Sequence, residues 1–101
     1  MNRRILEYIP EGKKNAISAQ RLAELTGARS ERCLRGDIAE LRKAGEIICS
    51  SPAGYYRPAT RAEIADFIER MESHAIGVLQ AVASAREAMK QMEGQISIED
   101  L

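Results

Sequence analysis

Apolar residues in the first part of the chain recur at the three- and four-residue intervals of amphipathic helices. Ile5, Leu6 and Ile9 lie on one helical face and predict a short first helix. Asn2 is a suitable N-cap residue for this helix, and Pro10 ends it because proline cannot continue a helical hydrogen-bond pattern.

Two further helices are predicted close together in the chain. The second would begin after the N-cap residue Ser18 and end at Gly27, which can adopt the positive φ of a sharp turn. The third would begin after Ser30 and end at Gly45. Apolar residues at helical spacing mark both: Leu22 and Leu25, then Leu34, Ile38 and Leu41. Two helices joined by so tight a turn are the sequence form of a helix-turn-helix.

A β-hairpin is predicted directly after the third helix. Ile47–Ser50 and Tyr55–Arg57 are short β-prone runs, and Ser51–Gly54 between them has the composition of a turn. Pro58 closes the second run. Three helices followed by a hairpin are the element order of a winged helix, in which the hairpin is the wing.

The remaining chain reads as one long helix. Thr60–Glu63 has the form of a capping box, and no proline follows it. Apolar residues are then separated alternately by four and three positions: Ile64, Ile68, Met71, Ala75, Val78, Val82, Ala85, Met89, Met92 and Ile96. Such a heptad seam predicts a helical partner. The first turns would pack on the chain's own winged domain through Ile64, Phe67 and Ile68.

The predicted fold is therefore mainly α. A winged helix-turn-helix with three helices and a short β-hairpin wing occupies residues 1–58, a long coiled-coil-like dimerisation helix residues 59–94, and a C-terminal tail residues 95–101. Self-association of the long helix would use Met71, Ala75, Val78, Leu79, Val82, Ala85, Met89 and Met92. The seam alone leaves parallel and antiparallel pairing open.

Charge is divided unevenly between these parts, although the net charge of the 101 residues is zero. Residues 1–58 hold eleven basic and seven acidic residues, a net charge of +4, and the rest of the chain has a net charge of −4. A basic first half can meet phosphate, and an acidic second half suggests a separate task.

The chemistry of the side chains argues against an enzyme. Cys33 and Cys49 form no CxxC pair, and His74 is the one histidine of the chain, so no zinc site can be assembled. No nucleophile–base set and no glycine-rich phosphate loop is present, and no cofactor or small-molecule ligand is evident. Without a signal-like or membrane-spanning apolar segment, a cytoplasmic protein is expected.

Three stretches of the sequence carry a resemblance to a known family: Ile17–Ala23, Leu34–Gly45 and Gly54–Pro58. Through them, residues 2–58 resemble winged helix-turn-helix domains such as the N-terminal DNA-binding domain of bacterial biotin repressors. With its short wing and long last helix, the whole chain is also similar to small prophage-encoded winged-helix proteins. Where the repressor-type wing usually ends in an aliphatic residue before proline, this chain has Arg57. The resemblance implies a double-stranded DNA partner.

In a helix-turn-helix the second of the two helices lies in the major groove, and here that helix is the third predicted helix of the chain. Arg32 and Arg35 are the candidates for base contacts, because a guanidinium can donate two hydrogen bonds to guanine. Ser30 at the helix N-terminus suits a phosphate. The further candidates for DNA contact lie on the same helix, at its entry, on the preceding helix and on the wing: Arg29, Ala39, Arg42, Lys43, Arg21, Ser51 and Arg57. A glycine inside this helix, Gly36, would allow the helix to approach DNA or a neighbouring helix closely.

Two functions from different classes remain in view. The first is a dimeric DNA-binding protein that reads the major groove with Ser30–Ala44, as a transcriptional regulator or a phage replication or excision accessory factor. The second is a protein–protein adaptor that keeps the winged-helix fold and an acidic coiled coil without binding DNA. The basic cluster at Arg29, Arg32 and Arg35 favours the first, whereas the zero net charge and the uncharged wing tip favour the second.

Overall fold

The computed structural model describes residues 3–100, with side chains described for residues 4–93. Two short 3₁₀ helices, three α-helices and two strands follow one another: 3₁₀ helices Arg3–Tyr8 and Lys13–Asn15, α1 Ala19–Thr26, α2 Glu31–Lys43, β1 Cys49–Ser51, β2 Gly54–Tyr56 and α3 Arg61–Asp100. The winged helix-turn-helix order predicted from the sequence is confirmed. The first predicted helix is a 3₁₀ helix, and its predicted cap, Asn2, lies outside the described residues.

The helix-turn-helix is built by local capping chemistry. The hydroxyls of Ser18 and Ser30 accept hydrogen bonds from the N–H groups three residues on, at 3.1 Å in both cases. Gly27 ends α1 in the left-handed conformation, with φ 69°. The Gly27 N–H donates to the carbonyl of Glu24, and the Ala28 N–H donates to that of Ala23, which is the Schellman pattern. A residue with a Cβ would be strained at Gly27, so the turn depends on glycine.

The wing is shorter than its β-prone sequence suggests, and it is shifted along the chain. β1 and β2 pair antiparallel, with Cys49 opposite Tyr56 and Ser51 opposite Gly54. Ile48, predicted to lie in the first strand, precedes β1 and is fully buried. Pro52 and Ala53 form the exposed two-residue tip, where the Ala53 N–H donates to the Ser51 hydroxyl at 3.2 Å.

A third stretch of backbone completes the sheet. Ile17 forms an isolated antiparallel bridge with Tyr55, in which each N–H donates to the other residue's carbonyl, at 2.7 and 2.8 Å. Gly54 makes this pairing possible: its φ is +133°, and a Cβ there would overlap the Ile17 carbonyl. The chain before α1 is thereby fixed to the wing.

Arg57 replaces the aliphatic residue of repressor-type wings without loosening the second strand, because its backbone makes the connection. The Arg57 N–H donates to the Pro10 carbonyl, and its carbonyl accepts from the Gly12 N–H, both at 2.7 Å. Its side chain forms an ion pair with Glu46, at 3.3 Å. The edge of β2 that faces away from β1 is therefore held by Ile17 and by the segment that follows the first 3₁₀ helix.

The core lies between the first 3₁₀ helix, α1, α2 and the base of the wing. Ten apolar side chains among residues 4–93 are buried: Ile5, Ile9, Leu22, Ala23, Leu34, Ile38, Leu41, Ile48, Cys49 and Tyr56. The α2 members are those predicted from helical spacing. Leu25 differs, since it is 39% exposed while Ala23 is buried in α1. Aliphatic side chains thus fill most of this core. Tyr56 is the one buried aromatic residue among residues 4–93, and the partly buried Tyr55 packs against the core.

α3 begins with a modified capping box. The Glu63 N–H donates to the Thr60 hydroxyl at 3.2 Å, as predicted. The Glu63 carboxylate accepts instead from the N–H of Ala59, at 2.8 Å, and from that of Lys13, at 3.0 Å. These two hydrogen bonds lower the pKa of Glu63 below its ordinary value. One carboxylate therefore joins the start of α3 to a backbone turn fifty residues earlier.

The chain divides into two compact units, the first ending at Phe67 and the second beginning at Ile68. The first unit includes the opening turns of α3, where Ile64 and Phe67 are partly buried as predicted, whereas Ile68 is 49% exposed. The second unit is the remainder of α3. The helical backbone continues to Asp100, through part of the segment 95–101 that the sequence assigned to a tail.

Candidate nucleic-acid interface

The outward face of α2 is the candidate interface. Leu34, Ile38 and Leu41 are fully buried and turn one side of the helix into the core. At 100° per residue, the opposite side carries Arg32, Gly36, Ala39 and Lys43, with Arg35 at its edge. All five are exposed. We call this set the outer face of α2.

The N-terminal entry to α2 adds a fourth basic residue and a polar cap. Arg29 and Ser30 are both exposed. The Ser30 hydroxyl already caps the helix by accepting from the Cys33 N–H, so a phosphate there would meet the helix end and its dipole rather than a free serine oxygen. Arg29, Ser30 and Arg32 are brought together within one turn.

Acidic residues near the outer face are partly neutralised. Glu40 forms an ion pair with Lys43 at 3.4 Å, on side chains that are both well exposed. Asp37 is half-buried, on the edge of α2 away from Arg35, and Glu31 is exposed in the first turn, where the helix dipole favours a negative charge. The clearest basic part of the face is therefore its first two turns.

Gly36 occupies the middle of the outer face. No atom of the described residues outside its own helical turns lies within 4 Å of the position that a Cβ would take. Internal packing therefore gives no reason for glycine here, and close approach to another helix of the described chain is excluded. The groove that Gly36 leaves between Arg32 and Ala39 is open to an external partner.

Arg42 was a phosphate candidate, but the structure turns it away from the outer face. Its Nε donates to the Ile48 carbonyl at 2.8 Å, and its guanidinium carbon lies 5.0 Å from the centroid of the Phe67 ring. Burial lowers the pKa of Arg42, against the opposing effects of Tyr55 and Cys49. Arg42 therefore joins α2, the residue that precedes the wing and the first turns of α3, a role that helical spacing alone could not reveal.

The remaining basic candidates stand apart from the outer face. Arg21 lies on α1 in an exposed ion pair with Glu24, at 3.4 Å. Arg57 is paired with Glu46 next to the wing, and the Ser51 hydroxyl is used inside the wing turn. The exposed pair of Arg21 is weak, so a phosphate can replace its carboxylate partner, whereas the pair of Arg57 with Glu46 is partly buried. Arg21 and Arg57 remain proposals for phosphate contact.

The two cysteines lie in opposite environments. Cys33 is exposed on α2, and Cys49 is buried in β1, where burial raises the pKa of its thiol. Among the residues described, no group of three or more His, Cys, Asp and Glu side chains is arranged to hold a metal ion. Within the same part of the chain, the search for a helix with the length and hydropathy of a membrane span finds none.

Comparison with protein families identifies the fold independently. A family model described as "HTH domain" matches residues 2–56, just over half of the chain. The chain belongs to this helix-turn-helix family. The family is one of DNA-binding domains rather than of enzymes, and the matched segment contains α1, α2 and both wing strands. Comparisons with curated proteins and with solved structures each give no significant match.

Proposed function

We propose that this helix-turn-helix protein is a homodimeric regulator of transcription that reads the major groove of double-stranded DNA with the helix Ser30–Ala44. The observation that carries the proposal is the outer face of α2, which is exposed and basic and has an open position at Gly36. The resemblance of the sequence to small prophage-encoded winged-helix proteins supports an alternative form of this proposal, in which the DNA-binding protein is a phage replication or excision accessory factor.

The residues of the outer face divide into two roles. Arg32 and Arg35 follow each other by about one helical turn in the first half of α2, which is the half that meets base edges in a helix-turn-helix. Their guanidinium groups suit the O6 and N7 acceptors of guanine. Arg29, the α2 N-terminus and Lys43 flank them and suit phosphates, which set the position of the helix but carry no sequence information.

The dimer is proposed from the exposed apolar side chains of the second unit. Ile68, Met71, Val78, Val82, Met89 and Met92 are between 40% and 63% exposed. A continuous apolar stripe of this length on one helix is an aggregation hazard unless another surface covers it. Ala75 and Ala85 lie in the same stripe and allow close approach of a partner helix.

Fluorescence anisotropy of a labelled random duplex, titrated with salt, tests the DNA interface. The wild-type protein should bind with a non-specific dissociation constant of roughly 10⁻⁴ to 10⁻⁶ M at physiological salt, weakening steeply as salt rises. Arg32→Glu/Arg35→Glu should lose at least tenfold in affinity. The matched control, Arg61→Glu/Lys90→Glu, makes the same change in net charge on α3 and should retain most of the affinity.

Equal losses in both double variants would attribute binding to overall charge and refute the assignment of the outer face. No binding of the wild-type protein to concentrated duplex at low salt would refute DNA binding itself. That second result would favour the protein–protein adaptor, for which the zero net charge and the uncharged Pro52–Ala53 wing tip are the specific observations.

A further inference from the structure

The apolar stripe of the second unit has a symmetry that its heptad spacing does not require. From Ile68 to Met92 its residues are Ile, Met, Ala, Val, Val, Ala, Met and Met. Read from either end, the positions at equal distance from Gln80 match in type: Val78 with Val82, Ala75 with Ala85 and Met71 with Met89. The outermost pair, Ile68 and Met92, matches in size.

A palindromic seam has a physical consequence only for antiparallel helices. Centred on Gln80, two antiparallel copies place Val78 against Val82, Ala75 against Ala85 and Met71 against Met89 of the other copy. Small layers then meet small layers near the centre, and large layers meet large layers towards the ends. A shift by one heptad would set Ile68 against Ala85 and shorten the overlap. Parallel in-register helices pair each residue with its own copy, so they place no constraint of this kind on the sequence.

Charged residues beside the seam give independent evidence. Glu72, Leu79 and Arg86 follow the seam residues Met71, Val78 and Ala85, which places all three on one flank of the stripe. In an antiparallel pair this flank faces the same flank of the other copy. Glu72 then lies beside Arg86 of the second copy, twice by symmetry, and Leu79 lies beside its own copy between the two ion pairs. Charges in these flanking positions set helix orientation.

Parallel pairing would leave the same residues without matching partners. In a parallel pair, the flank that carries Glu72 and Arg86 would face the opposite flank of the second copy. Glu72 would then lie beside Phe67, and Arg86 beside Ala81, of that copy. Leu79, 65% exposed in the single chain, would face His74. Among residues 4–93, no intrachain ion pair engages Glu72 or Arg86, so both charges are available to a second chain.

We infer that the partner of the second unit is a second copy of this chain, paired antiparallel in the register that sets Val78 against Val82 and Glu72 against Arg86. The inference rests on the proposed homodimer and specifies its geometry. The paired segment from Ile68 to Met92 covers about three and a half heptads, or roughly 36 Å at ~1.5 Å per residue. The two copies of Ile68 lie at its opposite ends, whereas parallel helices would place them side by side.

Disulfide trapping distinguishes the two orientations. In a Cys33→Ser background, which leaves only the buried Cys49, the variants Met71→Cys and Met89→Cys are oxidised singly and as an equimolar mixture, after subunit exchange. The antiparallel register predicts a covalent dimer in the mixture alone, because residue 71 meets residue 89 of the other copy. The parent background is the control and should remain uncrosslinked.

Each alternative outcome has a distinct meaning. Crosslinking of Met71→Cys with itself would show parallel pairing and overturn the inference while the homodimer stands. No crosslinking in the mixture, with the protein dimeric by sedimentation, would overturn the register. A monomeric wild-type protein at concentrations of tens of micromolar would refute the proposed homodimer itself.

Charge exchange provides a second measurement that needs no cysteine. Glu72→Arg and Arg86→Glu should each weaken the homodimer by about tenfold, the scale of two exposed ion pairs replaced by two like-charge contacts. Mixing the two variants should restore wild-type association, because both pairs re-form in the heterodimer. The single-chain exchange Glu72→Arg/Arg86→Glu should behave like wild type. Failure of mixing to restore association would overturn the antiparallel assignment.

Discussion

The substitution Gly36→Ala should stabilise the fold and weaken DNA binding at the same time. Gly36 lies in the interior of α2, and among the residues that the structure describes no atom outside its own helical turns lies within 4 Å of the added methyl group. Glycine costs about 1 kcal/mol relative to alanine inside a helix, so the variant should gain up to that amount in free energy of unfolding. For a domain of this size, that gain corresponds to a rise in Tm of about 4–8 °C.

The substitution should lower the affinity for DNA because the added methyl group projects outward from the outer face of α2. If α2 approaches the groove closely at Gly36, an added methyl group forces the interface apart. Overpacking of a close contact costs about 1–3 kcal/mol, which is a roughly 5- to 150-fold loss of affinity. Thermal unfolding followed by circular dichroism and duplex anisotropy on the same preparations measure both quantities.

Gly77→Ala provides the matched control. Gly77 also lies inside a helix, α3, and no atom in the described part of the chain outside its own turns lies within 4 Å of its Cβ position. Its substitution should therefore raise Tm without changing DNA affinity. A Gly36→Ala variant that is more stable and binds DNA like wild type would refute close approach at this position. A less stable variant would show that the glycine has a role within the fold and contradict the packing on which the prediction rests.

Three other predictions concern the wing, the cysteines and the start of α3. Gly54→Ala should lower the free energy of unfolding by roughly 2–4 kcal/mol, because a Cβ at φ +133° overlaps the Ile17 carbonyl and disrupts two backbone hydrogen bonds; a change in Tm of less than a few degrees would contradict this. In the native protein Cys33 should react with a thiol reagent at once, whereas Cys49 should react only as fast as the fold opens, because Cys49 is buried and its pKa is raised. Mass spectrometry measures both reaction rates. Equal rates would contradict the burial of Cys49 in β1. The pKa of Glu63 is lowered in the folded state, so its stabilising effect should be complete above the unfolded value of about 4.3 and disappear as the pH falls through the folded value. The difference in urea stability between wild type and Glu63→Gln should therefore be present at pH 7 and close towards pH 3, and a difference that does not change with pH would show that the carboxylate charge is not involved.

The helix-turn-helix could be predicted from the sequence because its determinants are local. Ser18, Gly27 and Ser30 act on backbone groups within a few residues, and the buried side of α2 follows from helical spacing alone. Such signals survive in any window of the sequence that includes them. The heptad pattern of α3 is likewise a local signal, since it repeats along a single helix.

The sequence could not show the contacts that join distant segments. The bridge between Ile17 and Tyr55 and the backbone pairing of Arg57 involve single residues of extended chain, which produce no periodic pattern. The Glu63 carboxylate completes its hydrogen bonds at Lys13, although the local capping-box rule places its partner at Thr60. Arg42 likewise reaches Phe67 only once the wing and α3 are in place.

The zero net charge of the chain is compatible with a DNA interface once the pairing of its charges is considered. Arg21, Lys43 and Arg57 are each matched by a nearby carboxylate, whereas the ion pairs among residues 4–93 do not include Arg29, Arg32 or Arg35. Three arginines outside these ion pairs therefore cluster at the first turns of α2, where major-groove contacts are made in this fold. A small cationic cluster neutralises few phosphates, so non-specific affinity should be modest, and discrimination between sequences would rest mainly on the geometry of Arg32 and Arg35.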